Sequence, residues 1–390
     1  MNFDINDEQQ MMLDTARQVG ERFGLEYWRE NDKKKAYPQE VWQAICDAGI
    51  AGTMIPAEHG GVGLGLLDLA LCIEELCKAG AGSTLAQMFM LNPVFGGVAV
   101  DRYGTDAMRR DWLPAMCEGR MTFCMALTEP DAGTNSLALK TRADRVEGGW
   151  SIKGQKIWIT GVANSQKMLV VARSTPASEA VKKTYGISLF MVDTDREGIT
   201  HTEIEKVGTN TLPSSVVYLD NVFAADSEVI GTIDEGWAQL LDILNSERIV
   251  TTAGLVGAGQ LAIRLGVDYA RDRKVFNGKP IGSYQGLQFP LAQTWAELES
   301  AKLLNLKAAS NFDRGLPFAS ESNAAKLIAA QAACNATEQS MQVMGGMGYS
   351  KEYHVERLWR DARLFRFAPV SEEMILNYIS TVNLGLPRSY

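Results

Sequence analysis

Histidine is scarce in this chain, which limits the metal chemistry it can support. Only three histidines occur in 390 residues, His59, His201 and His354. None of them stands beside another histidine or a cysteine at the spacing that metal ligands require. The sequence therefore predicts no transition-metal site.

Closely spaced cysteine pairs are also absent. The six cysteines form no CxxC motif, and most of them lie in apolar segments, where a free cysteine behaves as a small hydrophobic residue. We expect reduced thiols at Cys46, Cys72, Cys77, Cys117, Cys124 and Cys334.

An excess of positive charge is missing as well. The chain has 38 lysines and arginines against 47 acidic residues, a net charge of −9. A nucleic-acid partner or an anionic membrane would call for a basic surface, so neither is expected. The first ten residues are acidic and lack the layout of a secretory signal, which predicts a cytoplasmic protein.

One uncharged stretch, residues 79–100, is long enough to suggest a transmembrane helix. Gln87, Asn92 and Pro93 interrupt it. We predict instead a buried helix, a turn and a second apolar segment.

The hydrophobic periodicity divides the chain into three regions. We predict an α+β fold that is mainly α, with an N-terminal helical domain (1–121), an antiparallel β domain (122–234) and a C-terminal four-helix bundle (235–390). Helices are predicted at 7–23, 39–48, 66–78, 105–117, 237–273, 283–313, 321–343 and 371–382. Strands are predicted at 151–160, 168–172, 187–192 and 216–219.

A GxGxxA string at 257–262 matches a dinucleotide-binding motif. It falls inside a predicted helix rather than at a turn between a strand and a helix, where that motif functions. We interpret it as a site of close helix packing.

Residues 342–371 carry the most specific pattern, QVMGGMGYSKEYHVERLWRDARLFRFAPVS. A glycine-rich turn is followed by charges of both signs at helical spacing. The run resembles the C-terminal signature of the acyl-CoA dehydrogenase family. That resemblance implies a flavoprotein that uses FAD to desaturate an acyl-CoA thioester between Cα and Cβ. Members of the family usually pass their electrons to an electron-transfer flavoprotein.

Two further segments carry the resemblance. Residues 125–135 are similar to the family's EPGAGSD turn, which implies that Thr128 hydrogen-bonds the flavin ring. It also implies that Thr134 lies at the cofactor's pyrophosphate and near the CoA. Strand alternation places Trp158 and Thr160 on one face, and the family's WIT motif packs these two residues against the flavin. From the strand pattern alone, core packing of Trp158 remains an alternative.

The segment after the first bundle helix resembles the family's RxxFGxPI motif, with Asn277 as a one-residue insertion. The resemblance makes Arg273 and Phe276, together with Gln342 and Gly346, ligands of a neighbouring subunit's flavin. A homo-oligomer, and in particular a tetramer, is therefore expected.

Glu247 is the candidate catalytic base. Helical spacing places it on an apolar face, where a carboxylate is either neutralised by a partner such as Arg248 or has a raised pKa. A structural ion pair with Arg248 is the alternative from the residues alone. The isovaleryl-CoA and long-chain branches of the family carry their base at the matching position. The arginine that follows matches Arg248, which we assign to substrate binding.

The chain departs from most of the family after Arg360-Asp361-Ala362. Pro369, Val370 and Ser371 stand where the usual EGT motif supplies the base. The resemblance implies that Ser371 contacts the cofactor, but proline lacks the backbone N–H that in the family helps to polarise the thioester carbonyl. Helix register directs Glu372 and Glu373 elsewhere.

The sequence thus predicts an acyl-CoA dehydrogenase with FAD as cofactor. The alternatives are an enoyl-CoA reductase running the reverse reaction, a flavin monooxygenase of the same fold, and a non-catalytic protein that binds FAD or acyl-CoA.

Overall fold

A computed structural model describes residues 4–276 and 278–388, and its N-terminal region is helical. The side chain of Asn6 caps the first helix by accepting a hydrogen bond from the backbone N–H of Gln9 at 2.8 Å. The helices are α1 (Asp7–Arg22), α2 (Leu25–Lys34), α3 (Gln39–Asp47), α4 (Leu66–Leu76), α5 (Thr84–Phe89), α6 (Ala99–Tyr103) and α7 (Asp106–Cys117).

Two details of this region differ from the prediction. Helix α2 was not predicted, because its ten residues are mostly charged and only Trp28 among them is buried. The apolar stretch 79–100 does not turn at Asn92 and Pro93, since α5, a wide helical turn at Met90–Val98 and α6 follow one another directly. The helical path is interrupted at Gly82 instead, where φ is 69°.

The middle region forms a single sheet. Its strands are β1 (Phe123–Ala126), β2 (Arg142–Val146), β3 (Gly149–Thr160), β4 (Lys167–Arg173), β5 (Ile187–Asp193), β6 (Ile199–Glu203), β7 (Ser214–Ala225) and β8 (Val229–Ile230). The order across the sheet is β6-β7-β3-β2-β4-β5-β8, and β1 pairs with β4.

Most neighbouring strands are antiparallel, as predicted, but two pairs are parallel. Strand β1 lies parallel to β4 from Phe123 opposite Lys167 to Ala126 opposite Val170, and β2 meets β4 in parallel at Arg142 and Arg173. The chain between β1 and β4 contains the whole β2–β3 hairpin. That insertion is long enough for the crossover that a parallel pair needs.

In the described residues, the C-terminal region is a bundle of three long helices with two shorter ones. The elements are α8 (Gly236–Asp272), a short hairpin of β9 (Lys274–Val275) and β10 (Lys279–Pro280), α9 (Gln285–Asp313), α10 (Ala319–Met344), α11 (Val355–Leu364) and α12 (Glu372–Tyr378). Helix α12 continues as a wider turn to Asn383. Along the chain, helices precede and follow the sheet region. The predicted fold class is therefore confirmed.

Glycines set how closely α8 packs. A Cβ on Gly257 would lie 2.4 Å from the carbonyl oxygen of Glu74, and one on Gly259 would lie 2.7 Å from a methyl group of Leu298. These contacts leave no room for a side chain. The GxGxxA string is therefore a packing feature in the middle of α8, as interpreted from the sequence.

Helix α8 is the one helix in the described ranges that is long and apolar enough to cross a membrane by length and composition. Of its most apolar window, 78% is buried inside the protein. The central helix of a bundle needs that same apolar character.

Asp361 of α11 joins the three regions. Its side chain is 1% exposed and accepts hydrogen bonds from the hydroxyl of Thr84 on α5 at 2.8 Å and from the backbone N–H of Thr209 at 2.5 Å. Arg357, one turn earlier, lies 3.7 Å from the carboxylate and donates to the carbonyl oxygens of Gly80 and Ala81. The bundle is thus fastened to both preceding regions by one buried polar cluster.

We expect Asp361→Asn to lower the free energy of unfolding by about 3 kcal/mol, because the change leaves the buried Arg357 without its counter-charge. Thermal unfolding of the FAD-loaded protein measures this loss. Asp268→Asn is the matched control, since Asp268 forms only an exposed ion pair with Arg271. An Asp361→Asn protein that unfolds at the same temperature as the wild type would contradict the role assigned to Asp361.

Candidate active site

A tight turn follows β1 and carries Thr128. The backbone groups of Glu129 and Ala132 exchange two hydrogen bonds of 3.2 and 3.1 Å, which closes the turn. The carbonyl oxygen of Thr128 accepts a hydrogen bond from the N–H of Ile157 on β3 at 2.9 Å. The structure therefore places half-buried Thr128 beside the strand that carries Trp158 and Thr160.

A buried ion pair supports this turn. The ammonium group of Lys156 donates to Glu129 at 2.9 Å and to the carbonyl oxygens of Leu127 and Val171 at 3.0 and 2.7 Å. Glu129 also accepts from the backbone N–H groups of Lys140 and Thr141 at 2.6 and 2.9 Å. Both charges therefore have partners on several sides, as buried ions require.

The pKa values of the pair reflect that balance. Burial lowers the pKa of Lys156 to about 8, although Glu129 opposes the shift. Burial acts to raise the pKa of Glu129, but Lys156 and the surrounding N–H groups outweigh it and leave that pKa below its usual value. Both groups are thus mainly charged at neutral pH.

Trp158 lies at a β-bulge. The pairing of β3 with β7 shifts by one residue between Lys156 and Ile159, and Trp158 adopts a positive φ of 62°. Its side chain is 54% exposed, so the alternative of core packing is wrong. A bulky residue held in the left-handed region marks a constrained and often functional position. The side chains of this segment do not alternate strictly between the two faces of the sheet, because the bulge shifts the pattern by one residue.

Thr160 ends β3 opposite Ser214 of β7, and their hydroxyl oxygens lie 3.1 Å apart. The Thr160 side chain is half-buried. The segment therefore presents an exposed indole and, two residues later, a hydroxyl, next to the turn that carries Thr128.

Thr134 lies on the far part of the turn and is exposed. Asp131, where the family has glycine, forms an exposed ion pair with Lys140 at 2.9 Å. Nothing in the turn blocks access to the Thr134 hydroxyl, which leaves it available to a phosphate group.

Arg273, Phe276, Gln342 and Gly346 gather at one end of the bundle. Val275 and Val343 pack in the same apolar cluster, which brings the β9–β10 hairpin to the end of α10. Phe276 is 94% exposed and has a positive φ of 46°. A Cβ on Gly346 would meet no atom within 4 Å. Asn277, the predicted insertion, lies outside the described residues.

Glu247 lies on α8 and is 3% exposed. Among the described residues, no group lies within hydrogen-bond distance of its carboxylate. Burial raises the pKa of Glu247 to about 8, against the opposing charges of Arg248 and Lys326. Of the two outcomes expected from the sequence, the burial of Glu247 and its lack of an ion pair with Arg248 favour the raised pKa.

Arg248 does not form an ion pair with Glu247. Its guanidinium donates to the side chain of Asn245, while its Nε is buried without a partner. Burial lowers the pKa of Arg248, although Glu247 opposes the shift. An unpaired donor next to a buried carboxyl group is suited to a polar or anionic part of a ligand.

Lys326 of α10 holds the segment that replaces the usual EGT motif. Its buried ammonium group donates to the carbonyl oxygens of Phe365 and Val370 at 2.6 and 2.7 Å. Burial lowers the pKa of Lys326 to about 8 despite the nearby Glu372 and Glu247. The two ends of the segment, and with them Pro369, are therefore fixed by one side chain.

The residues after Pro369 serve the start of α12. The hydroxyl of Ser371 caps the helix by accepting from the N–H of Met374 at 3.3 Å. Glu372 forms a two-pronged ion pair with Arg366 at 2.7 and 2.8 Å, and Glu373 is exposed. Neither glutamate is free and buried in the manner of Glu247.

Sequence reasoning missed the buried lysines Lys156 and Lys326. Each stands in an otherwise uncharged segment, GQKIWIT and NAAKLIAA, which is the signal that could have identified them. Lysine is rarely buried without several acceptors. A single lysine on an apolar face therefore indicates carbonyl groups that need a donor.

Several of these side chains present the groups that a flavin and a thioester substrate would need. The exposed indole of Trp158 suits a flat ring, and the hydroxyls of Thr128 and Thr160 suit its polar edge. The unpaired Nε of Arg248 suits a polar group beside Glu247. The site thus fits FAD together with an acyl-CoA.

The comparisons with known proteins agree. Models of the N-terminal, middle and C-terminal domains of acyl-CoA dehydrogenase match residues 6–120, 124–222 and 234–382. The acyl-CoA dehydrogenase FadE12 of Mycobacterium tuberculosis is 40% identical over 99% of this chain and 98% of its own length. The 3-(aryl)acrylate reductase of Clostridium sporogenes is 35% identical over 86% and 87%.

A solved complex of glutaryl-coenzyme A dehydrogenase with glutaryl-CoA superposes with a TM-score of 0.95 at 27% identity, covering 100% of this chain and 98% of that one. The chain belongs to the acyl-CoA dehydrogenase family. It is an enzyme that uses FAD, and its substrate class is acyl-CoA.

We expect Lys156→Met to weaken FAD binding by at least tenfold and to lower stability by about 3 kcal/mol, because Glu129 is left as an uncompensated buried charge beneath the Thr128 turn. Titration of the apoprotein with FAD and thermal unfolding measure the two effects. Lys153→Met, on the same strand but exposed, is the control. Unchanged FAD affinity in Lys156→Met would show that the Lys156–Glu129 ion pair does not support the cofactor site.

Proposed function

We propose that this enzyme carries out α,β-dehydrogenation of an acyl-CoA thioester with Glu247 as the base. The observation that carries the proposal is the buried Glu247 carboxyl group, whose pKa lies near 8 and which has no hydrogen-bond partner among the described residues. A base with a pKa close to the working pH combines an available charged form with a strong tendency to accept a proton.

Each residue of the site has a separate task. Glu247 takes the proton from Cα of the thioester, and Arg248 orients a polar group of the same substrate through its unpaired Nε. FAD, when bound, accepts the hydride from Cβ. Trp158 and Thr160 hold the flavin ring, Thr128 hydrogen-bonds its edge, and Thr134 contacts phosphate oxygens. The apolar surroundings of Glu247 exclude water from the proton transfer.

The reverse reaction, reduction of an enoyl-CoA, is the second candidate. With its pKa near 8, Glu247 is mainly protonated at pH 7, which is the form that delivers a proton to Cα. The 3-(aryl)acrylate reductase among the relatives supports this direction. The two directions need opposite forms of one carboxyl group, so their pH dependence differs in sign.

The external partners follow from the dehydrogenase reaction. Reduced flavin has to be reoxidised after each turnover, and an electron-transfer flavoprotein is the proposed acceptor. A cytoplasmic location is likewise part of the proposal.

Glu247→Gln should lower the rate of flavin reduction by an acyl-CoA by ~10²–10⁴, because the amide cannot accept the α-proton. The measurement is anaerobic stopped-flow bleaching of the flavin band with a panel of straight, branched and cyclic acyl-CoAs. Glu373→Gln, which changes an exposed glutamate after Pro369, is the control and should bleach normally.

Near-normal bleaching in Glu247→Gln would remove Glu247 from the mechanism. A wild-type flavin that no ester bleaches would overturn the dehydrogenase proposal and favour an oxygenase or a binding protein. As a further readout, kcat/KM of the dehydrogenase reaction should rise about tenfold per pH unit up to about pH 8, where the carboxylate becomes the main form. The reductase reaction should instead fall above that pH.

The proposed homo-oligomer rests on an exposed apolar surface. A groove of about 430 Å³ lies between α8 and α9, lined by Val267, Leu287, Leu291 and Trp295 among others. Trp295 is largely exposed there, and Phe276 stands at the same end of the bundle. Exposed apolar surface of this kind favours association. If a second copy of the chain docks on this surface, Phe276 and Arg273 of the first copy would lie beside the flavin of the second.

Complementation between subunits tests this arrangement. Phe276→Ala and Trp158→Ala should each weaken FAD binding. Phe276→Ala removes a contact to the neighbouring subunit's FAD, and Trp158→Ala removes a contact to the subunit's own FAD. Co-expressed subunits should regain a fraction of tight FAD sites, since one site of each mixed pair is intact. Light scattering checks that the oligomer survives, and Phe223→Ala on β7 serves as the exposed aromatic control. Absence of any recovery in verified mixed oligomers would show that both residues act on one chain's site.

A further inference from the structure

Lys206 lies in the loop after β6 and uses all of its donors inside the protein. Its ammonium group donates to the hydroxyl of Thr209 at 2.9 Å, to the carbonyl oxygen of Leu212 and to the hydroxyl of Ser214 at 3.2 Å. A lysine has three N–H donors and no acceptor. All three donors of Lys206 therefore have partners.

The loop itself is held firmly. A Cβ on Gly208 would lie 2.8 Å from the backbone of Arg360 and from Asp361, so the loop rests directly on α11. The N–H of Thr209 donates to Asp361 at 2.5 Å. The position of Lys206 is thus set by the same buried carboxylate that joins the three regions.

The hydrogen bond from Lys206 favours one direction for the next one. A hydroxyl group has one proton to donate and two lone pairs to accept with. The oxygen of Ser214 accepts from Lys206 with one lone pair, which favours the arrangement in which the Ser214 proton points at Thr160, 3.1 Å away. Thr160 then acts as the acceptor, and its own proton is left for an acceptor beyond the strand.

We propose that Lys206 is a positioning residue that orients a chain of hydrogen bonds through Ser214 to Thr160, so that the Thr160 hydroxyl donates to the reactive ring nitrogen of the bound flavin. That nitrogen is an acceptor in the oxidised flavin, and a donated hydrogen bond makes the ring a better hydride acceptor. Lys206 contributes by orientation and contacts neither the substrate nor the flavin.

The inference rests on the flavin placement of the proposed function but not on the acyl-CoA reaction. Its test therefore uses a small dihydronicotinamide as hydride donor, which reduces the flavin without any thioester. If this donor reduces the flavin and acyl-CoA esters do not, the proposed function fails while the Lys206 inference is still measured.

The experiment is a double-mutant cycle on the FAD-loaded protein. Lys206→Met and Ser214→Ala should each slow flavin reduction by the dihydronicotinamide about tenfold, the value of one weakened hydrogen bond. Each should also shift the visible flavin band, a readout that does not depend on turnover. Thr160→Val alone should slow flavin reduction and shift the flavin band. Adding Lys206→Met to Thr160→Val should change neither the rate nor the band any further. Lys153→Met is the exposed control on β3.

Additive effects of Lys206→Met and Thr160→Val would overturn the inference, because they would show that Lys206 acts by a separate route. An unshifted flavin band in Ser214→Ala would overturn it as well. If Lys206→Met disturbs folding, the pair Ser214→Ala and Thr160→Val carries the same cycle, since Ser214 is the link between the two.

Discussion

The buried carboxylate of Asp361 is the constraint on which the arrangement of this enzyme depends. It lies on α11 in the bundle and accepts one hydrogen bond from α5 and one from the loop after β6. Three regions with separate local structure thereby meet at one buried carboxylate. Because Glu247 belongs to the bundle while Trp158 and Thr160 belong to the sheet, the geometry between base and flavin depends on this junction.

Two buried lysines and one half-buried lysine perform a related task around the site. Lys156 supports the Thr128 turn, Lys206 supports the loop that leads into β7, and Lys326 supports the segment before α12. Each donates to at least one backbone carbonyl, and each has a pKa lowered to about 8 by burial. Irregular backbone that surrounds a ligand has many carbonyl groups without a regular partner, and a lysine can satisfy several of them at once.

The sequence was sufficient for the features that periodicity and motifs encode. The boundaries of α8, α9 and α10 and the apolar face of Glu247 follow from spacing alone. Helix α2 escaped prediction because its residues are mostly charged, and the bulge at Trp158 escaped because alternation carries no information about a left-handed residue. The partners of Lys326 lie about forty residues away in sequence, so they emerge only from the fold.

The bonds from Lys326 have a consequence for how this family can change over evolutionary time. They go to the carbonyl groups of Phe365 and Val370, which every amino acid possesses, so the side chains between them are not needed to hold the segment. These two bonds do not depend on the side chains of Phe367 and Ala368, whereas Arg366 is tied separately by its ion pair with Glu372. A carboxylate could thus be absent from this segment, with another serving on α8, while the bonds that hold the backbone persist.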